Sequence, residues 1–323
     1  MNEYGGKETP FLFVLDYELQ KCLVYPFQDI PTSVKFKVGN YSNYTSVASE
    51  PFLGSFTFNT NPISFETYHE IFNQVKEEIF LGNSFLLNLT CRTPISTNLT
   101  LSEIFEHSNT PYKLLLDDHC SVFSPECFVK IDNGIISTFP MKGTIVENDN
   151  AEMRLRNSEK EYAEHVTVVD LLRNDLSMFS KNVHVPRLMY VDRLETHSQT
   201  LLQMTSEISG TLQDDYKKHL GDIIFSMLPA GSISGAPKYK TLEIIRRVEN
   251  LPRGYYTGVF GYFDGHNVDS AVMIRFIEQN EEGKLYFRSG CGITSLSNAE
   301  EEYQEMINKV YLPFTREMMH LHT

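Results

Sequence analysis

Two hydrophobic periods organise the chain. Val34-Lys35-Phe36-Lys37-Val38 alternates as a half-buried strand should, and Phe11-Leu12-Phe13-Val14-Leu15 is a further strand candidate. The rest of residues 1–60 reads as β-rich, irregular and polar. After Ser64 the period changes. Tyr68, Ile71, Phe72, Val75, Ile79 and Phe80 fall at helical spacing, with Gly82-Asn83 as the stop. Phe85–Thr90 predicts a strand, Leu101–His107 a short helix and Tyr112–Leu116 another strand. Two apolar runs then flank Asp132-Asn133-Gly134, at 127–131 and 135–138. They predict a β-hairpin, because Asn and Gly tolerate the positive φ of tight turns. Folded about Asn133, it would set residue 126 across from residue 140.

Further on, 147–157 is charged and polar and reads as a surface loop. Ser158 with Glu161 makes a capping box for a helix to about Leu172. Thr241, Leu242, Ile245 and Val248 carry another helix to Asn250. Gly254–Tyr262, Ser270–Glu278 and Lys284–Arg288 read as successive strands. Asp264–Asn267 and Glu281–Gly283 are their turns, so the pairing is antiparallel. Asn298 and Glu301 open a last helix, running to about Tyr311 and stopped by Pro313. No internal repeat, low-complexity tract or long linker interrupts the pattern.

Composition narrows the function. Of 323 residues 41% are hydrophobic, which supports a sizeable core. A net charge of −14 argues against nucleic acid as a partner, since phosphates need a positive patch. No apolar stretch is long enough to span a membrane and no basic-then-apolar leader opens the chain. Five scattered cysteines without a Cys-x-x-Cys pair fit reduced thiols and a cytoplasmic location.

Four features could carry chemistry. The hairpin would bring Glu126 to the same end as Lys142, and a lysine beside a carboxylate can act as nucleophile and general acid. The plain alternative is an ion pair on a strand edge. Pro229–Lys238 contains Gly231, Ser232, Ser234 and Gly235 and leads into a helix, with Pro237 suited to the first turn. Its backbone N–H groups could form an anion site, or it is simply a glycine turn. Arg275 lies in a mostly apolar strand and calls for an anionic partner, either a substrate carboxylate or a structural acid. Finally, Glu161 and Glu164 share one helix side, and Glu302, Glu305 and Lys309 share another. Each pair alone reads as a solvated face; two such helices converging would offer hard oxygen ligands for Mg²⁺.

Taken together, ordered blocks over roughly residues 65–315 resemble the chorismate-utilising enzymes. They are Gly82–Thr90, Ser124–Phe128, Pro140–Thr144, Glu164–Leu176, Pro229–Lys238, Arg253–Gly258, Ala271–Arg275, Gly290–Ile293 and Glu302–Glu305. The resemblance implies an α+β fold in a single large domain spanning 1–323, with two antiparallel sheets packed face to face and helices outside. Residues 1–60 would be a shortened N-terminal part. Pro140-Met141-Lys142-Gly143-Thr144 resembles the branch that forms aminodeoxychorismate, where anthranilate and salicylate synthases typically have alanine at the lysine. The implied chemistry is covalent: Lys142 attacks C2 of chorismate, Glu126 protonates the departing C4 hydroxyl, and ammonia then expels the lysine. Glu164 and Glu305 match direct Mg²⁺ ligands, with Glu161 and Glu302 supporting them. Tyr256 and Arg275 match residues that hold the pyruvyl carboxylate. The Gly231–Lys238 loop, Gly292 and Lys309 match other groups around substrate carboxylates, and Thr144 belongs to the lysine block. Ammonia would come from a separate glutamine amidotransferase subunit, because no Gly-x-Cys-x-Gly turn occurs here.

Two departures stand out. Gln203-Met204-Thr205-Ser206 stands where most members have His-Leu-Val-Ser, so Gln203 replaces a histidine beside the substrate. Gln203 can hydrogen-bond but cannot carry a proton, and His197 is a poor stand-in. The Leu-Leu-Glu-Ser stretch that holds tryptophan in longer relatives is missing. Two rival readings remain: anthranilate synthase component I, which Lys142 opposes, and a non-catalytic chorismate-binding subunit.

Overall fold

The computed structural model describes residues 1–45, 56–117, 119–195 and 200–314. Helix α1 (Asn2–Gly6) precedes β1 (Phe11–Leu15), β2 (Cys22–Pro26), β3 (Val34–Val38), β4 (Tyr41–Ser42) and β5 (Phe58–Thr60). Then come α2 (Phe65–Phe80), β6 (Leu86–Thr97), α3 (Leu101–His107), β7 (Tyr112–Leu116) and β8 (Cys120–Ser124). β9 (Cys127–Asp132), β10 (Ile135–Thr138), β11 (Met141–Val146), α4 (Ala151–Arg156) and α5 (Glu159–Ser177) follow. Two long strands, β12 (Lys181–Glu195) and β13 (Thr200–Thr211), lead to α6 (Leu220–Ser226), α7 (Gly231–Ser234), β14 (Gly235–Ala236) and α8 (Lys238–Val248). The last elements are β15 (Val259–Phe263), β16 (Val268–Val272), β17 (Phe276–Gln279), β18 (Leu285–Ile293) and α9 (Ala299–Asn308).

Among the described residues the strands form two antiparallel sheets. One runs β11-β13-β10-β9-β16-β15-β1-β2, with β12 also on β13. The other runs β14-β6-β18-β17-β8-β7-β3-β4, with β5 also on β6. β1 explains the layering. Successive strand side chains point to opposite faces. Phe11, Phe13 and Leu15 therefore pack with Val168 and Leu172 of α5 and Ile224 of α6. Leu12 and Val14 face the other way and meet Phe36, Leu114 and Val122 of the second sheet. The second sheet is covered in turn by α2, α8 and α9 through Val75, Ile244 and Met306. The chain is thus α+β, with two facing sheets and helices outside. No helix among the described residues is long and apolar enough to cross a membrane.

Several local expectations need correction. The hairpin turns at Asn133 (φ 49°) and Gly134 (φ 78°), but Ile135 pairs with Asp132, a register one residue off the expected one. The ladder ends at Lys130 and Ser137, and β11 pairs instead with β13. Lys142 is thus delivered by β13 rather than by the hairpin. Gly254–Thr257 is a turn with positive φ at Gly254 and Thr257, so the strand starts only at Val259. The run read as one strand over Ser270–Glu278 is two. β16 belongs to the first sheet and β17 to the second, and the chain crosses between them at Arg275 (φ 55°). The supposed loop at 147–157 contains α4, whose Ala151 and Leu155 bury against Leu202 and Met204.

One buried cation ties these elements together. Arg253, 1% exposed, donates to both Glu249 carboxylate oxygens, at 2.8 Å from Nε and 2.6 Å from Nη2. Its remaining N–H groups reach the carbonyls of Ile233 at 2.9 Å and Asn88 at 2.7 Å and the Thr257 hydroxyl at 3.4 Å. Burial works against its charge, and the Glu249 carboxylate outweighs that and keeps it protonated. Removing one partner of a buried pair strands the other in low dielectric. Arg253→Leu should therefore lower unfolding stability by about 3–5 kcal/mol in a urea titration. Removing Glu249 as well should recover part of the loss.

Candidate active site

A cavity of about 890 Å³ opens where β11, β13, β18, α5, α7 and α9 approach one another. Glu126, Lys142, Tyr256, Arg275, Glu164 and Glu305 all border it. So do Gln203, Ser232, Gly292, Lys309, Glu161 and Glu302. Residues distant in sequence therefore share one enclosure.

Lys142 is aimed by a break in its strand. It pairs with Met204, whereas Thr144 pairs with Gln203, so Gly143 is left over as a bulge with φ 71°. A bulge re-aims the neighbouring side chains. A Cβ on Gly143 would lie 2.7 Å from Leu155 Cδ1 and 2.9 Å from Glu161 Oε2, and the positive φ would strain any other residue there. On the opposite wall, a Cβ built on Gly292 would sit 3.4 Å from Lys142 Nζ and 3.3 Å from Glu164 Oε2. The amine and the carboxylate converge above bare backbone. Behind them His165 is fully buried, its Nε2 2.6 Å from Ser206 Oγ. Burial, assisted by the Lys142 charge, lowers its pKa to about 4 and keeps it neutral.

Glu126 follows Ser124-Pro125 at the end of β8. Ser232 of α7 donates to its Oε1 at 2.6 Å. Burial pushes the Glu126 carboxyl up, against the opposing pull of the Ser232 hydrogen bond and of Lys142, Lys309 and Arg275. A carboxyl so placed holds its proton beyond the usual carboxylate range, as a general acid must.

Arg275 occupies the crossing between sheets in a left-handed conformation that L-residues rarely adopt. Its Nε is buried without an acceptor among the described residues, and its guanidinium lies 5.3 Å from the Tyr311 ring. An anionic ligand would supply that acceptor. Tyr256 is buried nearby, which holds its phenol protonated. Sequence reasoning missed Arg288 and Asn88, which also line the cavity. Arg288 is buried and bonded to Glu278 at 3.0 Å. A charged residue closing the apolar run Leu285-Tyr286-Phe287 was its available signal.

Glu164 and Glu302 are buried, at 6% and 1% exposure, on α5 and α9 respectively. Glu305 pairs with Lys309 at 2.6 Å, and Lys309 also donates to Gly290 O at 2.8 Å. Among the described residues no three His, Cys, Asp or Glu side chains are grouped to hold a metal ion by themselves. Carboxylates from two helices bordering one cavity still fit an ion that takes one or two protein oxygens and completes its shell with water and substrate.

The Gly-rich segment behaves differently from expectation. Gly231–Ser234 forms its own helical turn, and α8 starts later, at Lys238, with Pro237 as its N-cap rather than inside its first turn. Only Ser232 and Ile233 of this segment reach the cavity. Gly231 packs on Leu171, Ser234 Oγ donates to Ala230 O at 2.9 Å, and Gly235 pairs with Leu87. These three lie behind the wall and do not line the cavity. Thr144 is in β11 opposite Gln203; its side chain and His197 lie outside the described residues.

The model of the chorismate binding enzyme family matches residues 44–314. The chain belongs to that family. This chorismate-binding enzyme is 48% identical over 314 residues to an "Uncharacterized PabA-like protein" of Haemophilus influenzae, covering 97% of this chain and 94% of that one. It is 33% identical to aminodeoxychorismate synthase component 1 of Salmonella typhimurium over 75% of this chain and 56% of that one. Among solved structures, anthranilate synthase component I from Streptococcus pneumoniae superposes with a TM-score of 0.66 at 30% identity, covering 80% of this chain and 59% of that one.

The raised Glu126 carboxyl has a stability consequence. A carboxyl whose pKa is higher folded than unfolded contributes stability in full below its unfolded pKa, and that contribution is lost as pH rises through the folded pKa. Glu126→Gln keeps the acceptor for Ser232 and removes the ionisation. Its thermal midpoint should exceed that of the wild type at pH 7, and the gap should close near pH 4. An equal gap at both pH values would contradict the shift.

Proposed function

We propose that this enzyme converts chorismate and ammonia to 4-amino-4-deoxychorismate through a covalent Lys142 adduct. The observation that carries the reading is the pairing, in one cavity, of Lys142 with a Glu126 carboxyl whose pKa burial raises. The Lys142 amine forms a bond to C2 of chorismate as the C4 C–O bond breaks, and Glu126 gives its proton to the leaving hydroxyl, which departs as water. Ammonia then bonds to C4 and the C2–N bond to Lys142 breaks, restoring the amine. Splitting one difficult displacement into two is the gain from a covalent nucleophile. Arg275 and Tyr256 would hold the pyruvyl carboxylate, and the Ser232 hydrogen bond would orient the Glu126 carboxyl. Glu164 and Glu305 would hold Mg²⁺, with Glu161 and Glu302 behind them, and the ion would offset charge on the ring carboxylate. Gln203 borders the site as a hydrogen-bonding group without a proton to shuttle. The ammonia source would be a glutamine amidotransferase subunit, and the product would feed 4-aminobenzoate and folate formation in the cytoplasm.

Lys142→Ala decides between this reading and a binding-only protein. Turnover of chorismate should fall by roughly 10³-fold or more, the scale of removing a nucleophile. Chorismate affinity, by calorimetry, should stay within a factor of about ten, because Arg275 and the glutamates remain. Unchanged turnover would exclude the covalent route.

A further inference from the structure

Outside the cavity, one partly exposed lysine gathers three backbone carbonyls. Lys76 Nζ, on α2, donates to the carbonyls of Thr294 at 3.1 Å, Ser295 at 2.7 Å and Ser297 at 3.2 Å. An ammonium has three N–H donors and no acceptor, so three carbonyls satisfy it fully. Its charge also lies 5.8 and 5.4 Å from the Phe72 and Phe80 rings. The loop that holds it is short and internally braced. Ser297 Oγ accepts from Thr294 N at 3.1 Å and donates to Gly292 O at 3.4 Å. This loop is the only covalent link between β18, which brings Gly290 and Gly292 to the cavity, and α9, which brings Glu302 and Glu305.

The placement runs against the helix dipole. A helix N-terminus carries positive partial charge and disfavours a nearby cation. Asn298 already caps α9 by accepting from the Glu300 and Glu301 N–H groups. Lys76 therefore adds nothing to the cap; it binds the carbonyls of the loop just before it. Burial lowers the Lys76 pKa and the charge of Glu302 opposes that.

We propose that Lys76 is a positioning residue: its ammonium fills a three-carbonyl cage and so fixes where α9 presents Glu302 and Glu305. The cage is in substance a monovalent-cation site with a tethered occupant. Potassium is the free ion of matching charge that carbonyl oxygens accept in place of water. Removing the side chain should open the site to it.

The test uses the full chain with Lys76→Met, which keeps the apolar stem. Thermal midpoint and chorismate affinity by calorimetry are measured at fixed ionic strength in potassium, lithium or N-methylglucamine chloride, with Mg²⁺ throughout. In N-methylglucamine the variant should bind chorismate about fivefold more weakly or worse, the low end of ordinary coupling between sites. Potassium, but not lithium, should restore affinity and raise the midpoint, while the wild type should respond to neither. If Lys76→Met does not fold, Lys76→Gln carries the same comparison. Wild-type affinity in every salt, or a loss indifferent to the cation, would overturn the proposal. A midpoint that recovers in potassium without recovery of affinity would reduce Lys76 to a purely structural tie.

Discussion

The structure depends most on keeping one guanidinium charged where water does not reach. Arg253 spends its N–H groups on Glu249 and on the carbonyls of Asn88 and Ile233. Asn88 lies in one wall of the cavity and Ile233 in another. Ile233 also adjoins Ser232, which holds Glu126. Glu18 meanwhile accepts from Arg253 N at 2.8 Å and Gly254 N at 2.9 Å, setting the turn that delivers Tyr256. A buried pair of this kind contributes little net stability compared with apolar packing, but it tolerates few alternative geometries. It acts here as a spacer for the site.

The second constraint is backbone conformation. The sheets meet at the cavity because the chain changes sheets at Arg275 and bulges at Gly143. Both positions have positive φ, and both put a functional side chain into the enclosure. Strain of this sort persists only where surrounding structure fixes it, and it gathers at sites that need a side chain held against its local preference. The Arg275 Nε, buried without an acceptor among the described residues, is the electrostatic counterpart.

The helices and many of the strands were legible in the sequence because their periods are local. Val34–Val38, Ser64–Phe80 and the Asn298 cap carry their own signals. The break at Arg275 was not legible, because an apolar run reads alike whether it stays in one sheet or passes to the next. β12 hid for another reason. Its left-handed Asn182 and Met189 and its shifts of register against β13 erase the alternation that marks a strand. At the site, residue types singled out Lys142, Glu126 and the paired glutamates, and all of them border one cavity. Which glycines touch the cavity depended on where a helical turn began, and Ser232 alone among the four residues chosen from that loop faces inward. Arg288 was missed because its partner, Glu278, lies on the neighbouring strand.

The central claim is that Lys142 and a Glu126 carboxyl of raised pKa, in one cavity, direct chorismate to amination with its pyruvyl group retained. Product identity tests it most directly. The purified chain is incubated with chorismate, Mg²⁺ and ammonium at mildly alkaline pH and the mixture is followed by mass spectrometry, with and without a glutaminase subunit. The account predicts 4-amino-4-deoxychorismate with the enolpyruvyl group intact. Anthranilate with released pyruvate, or chorismate unchanged even with the glutaminase present, would contradict it.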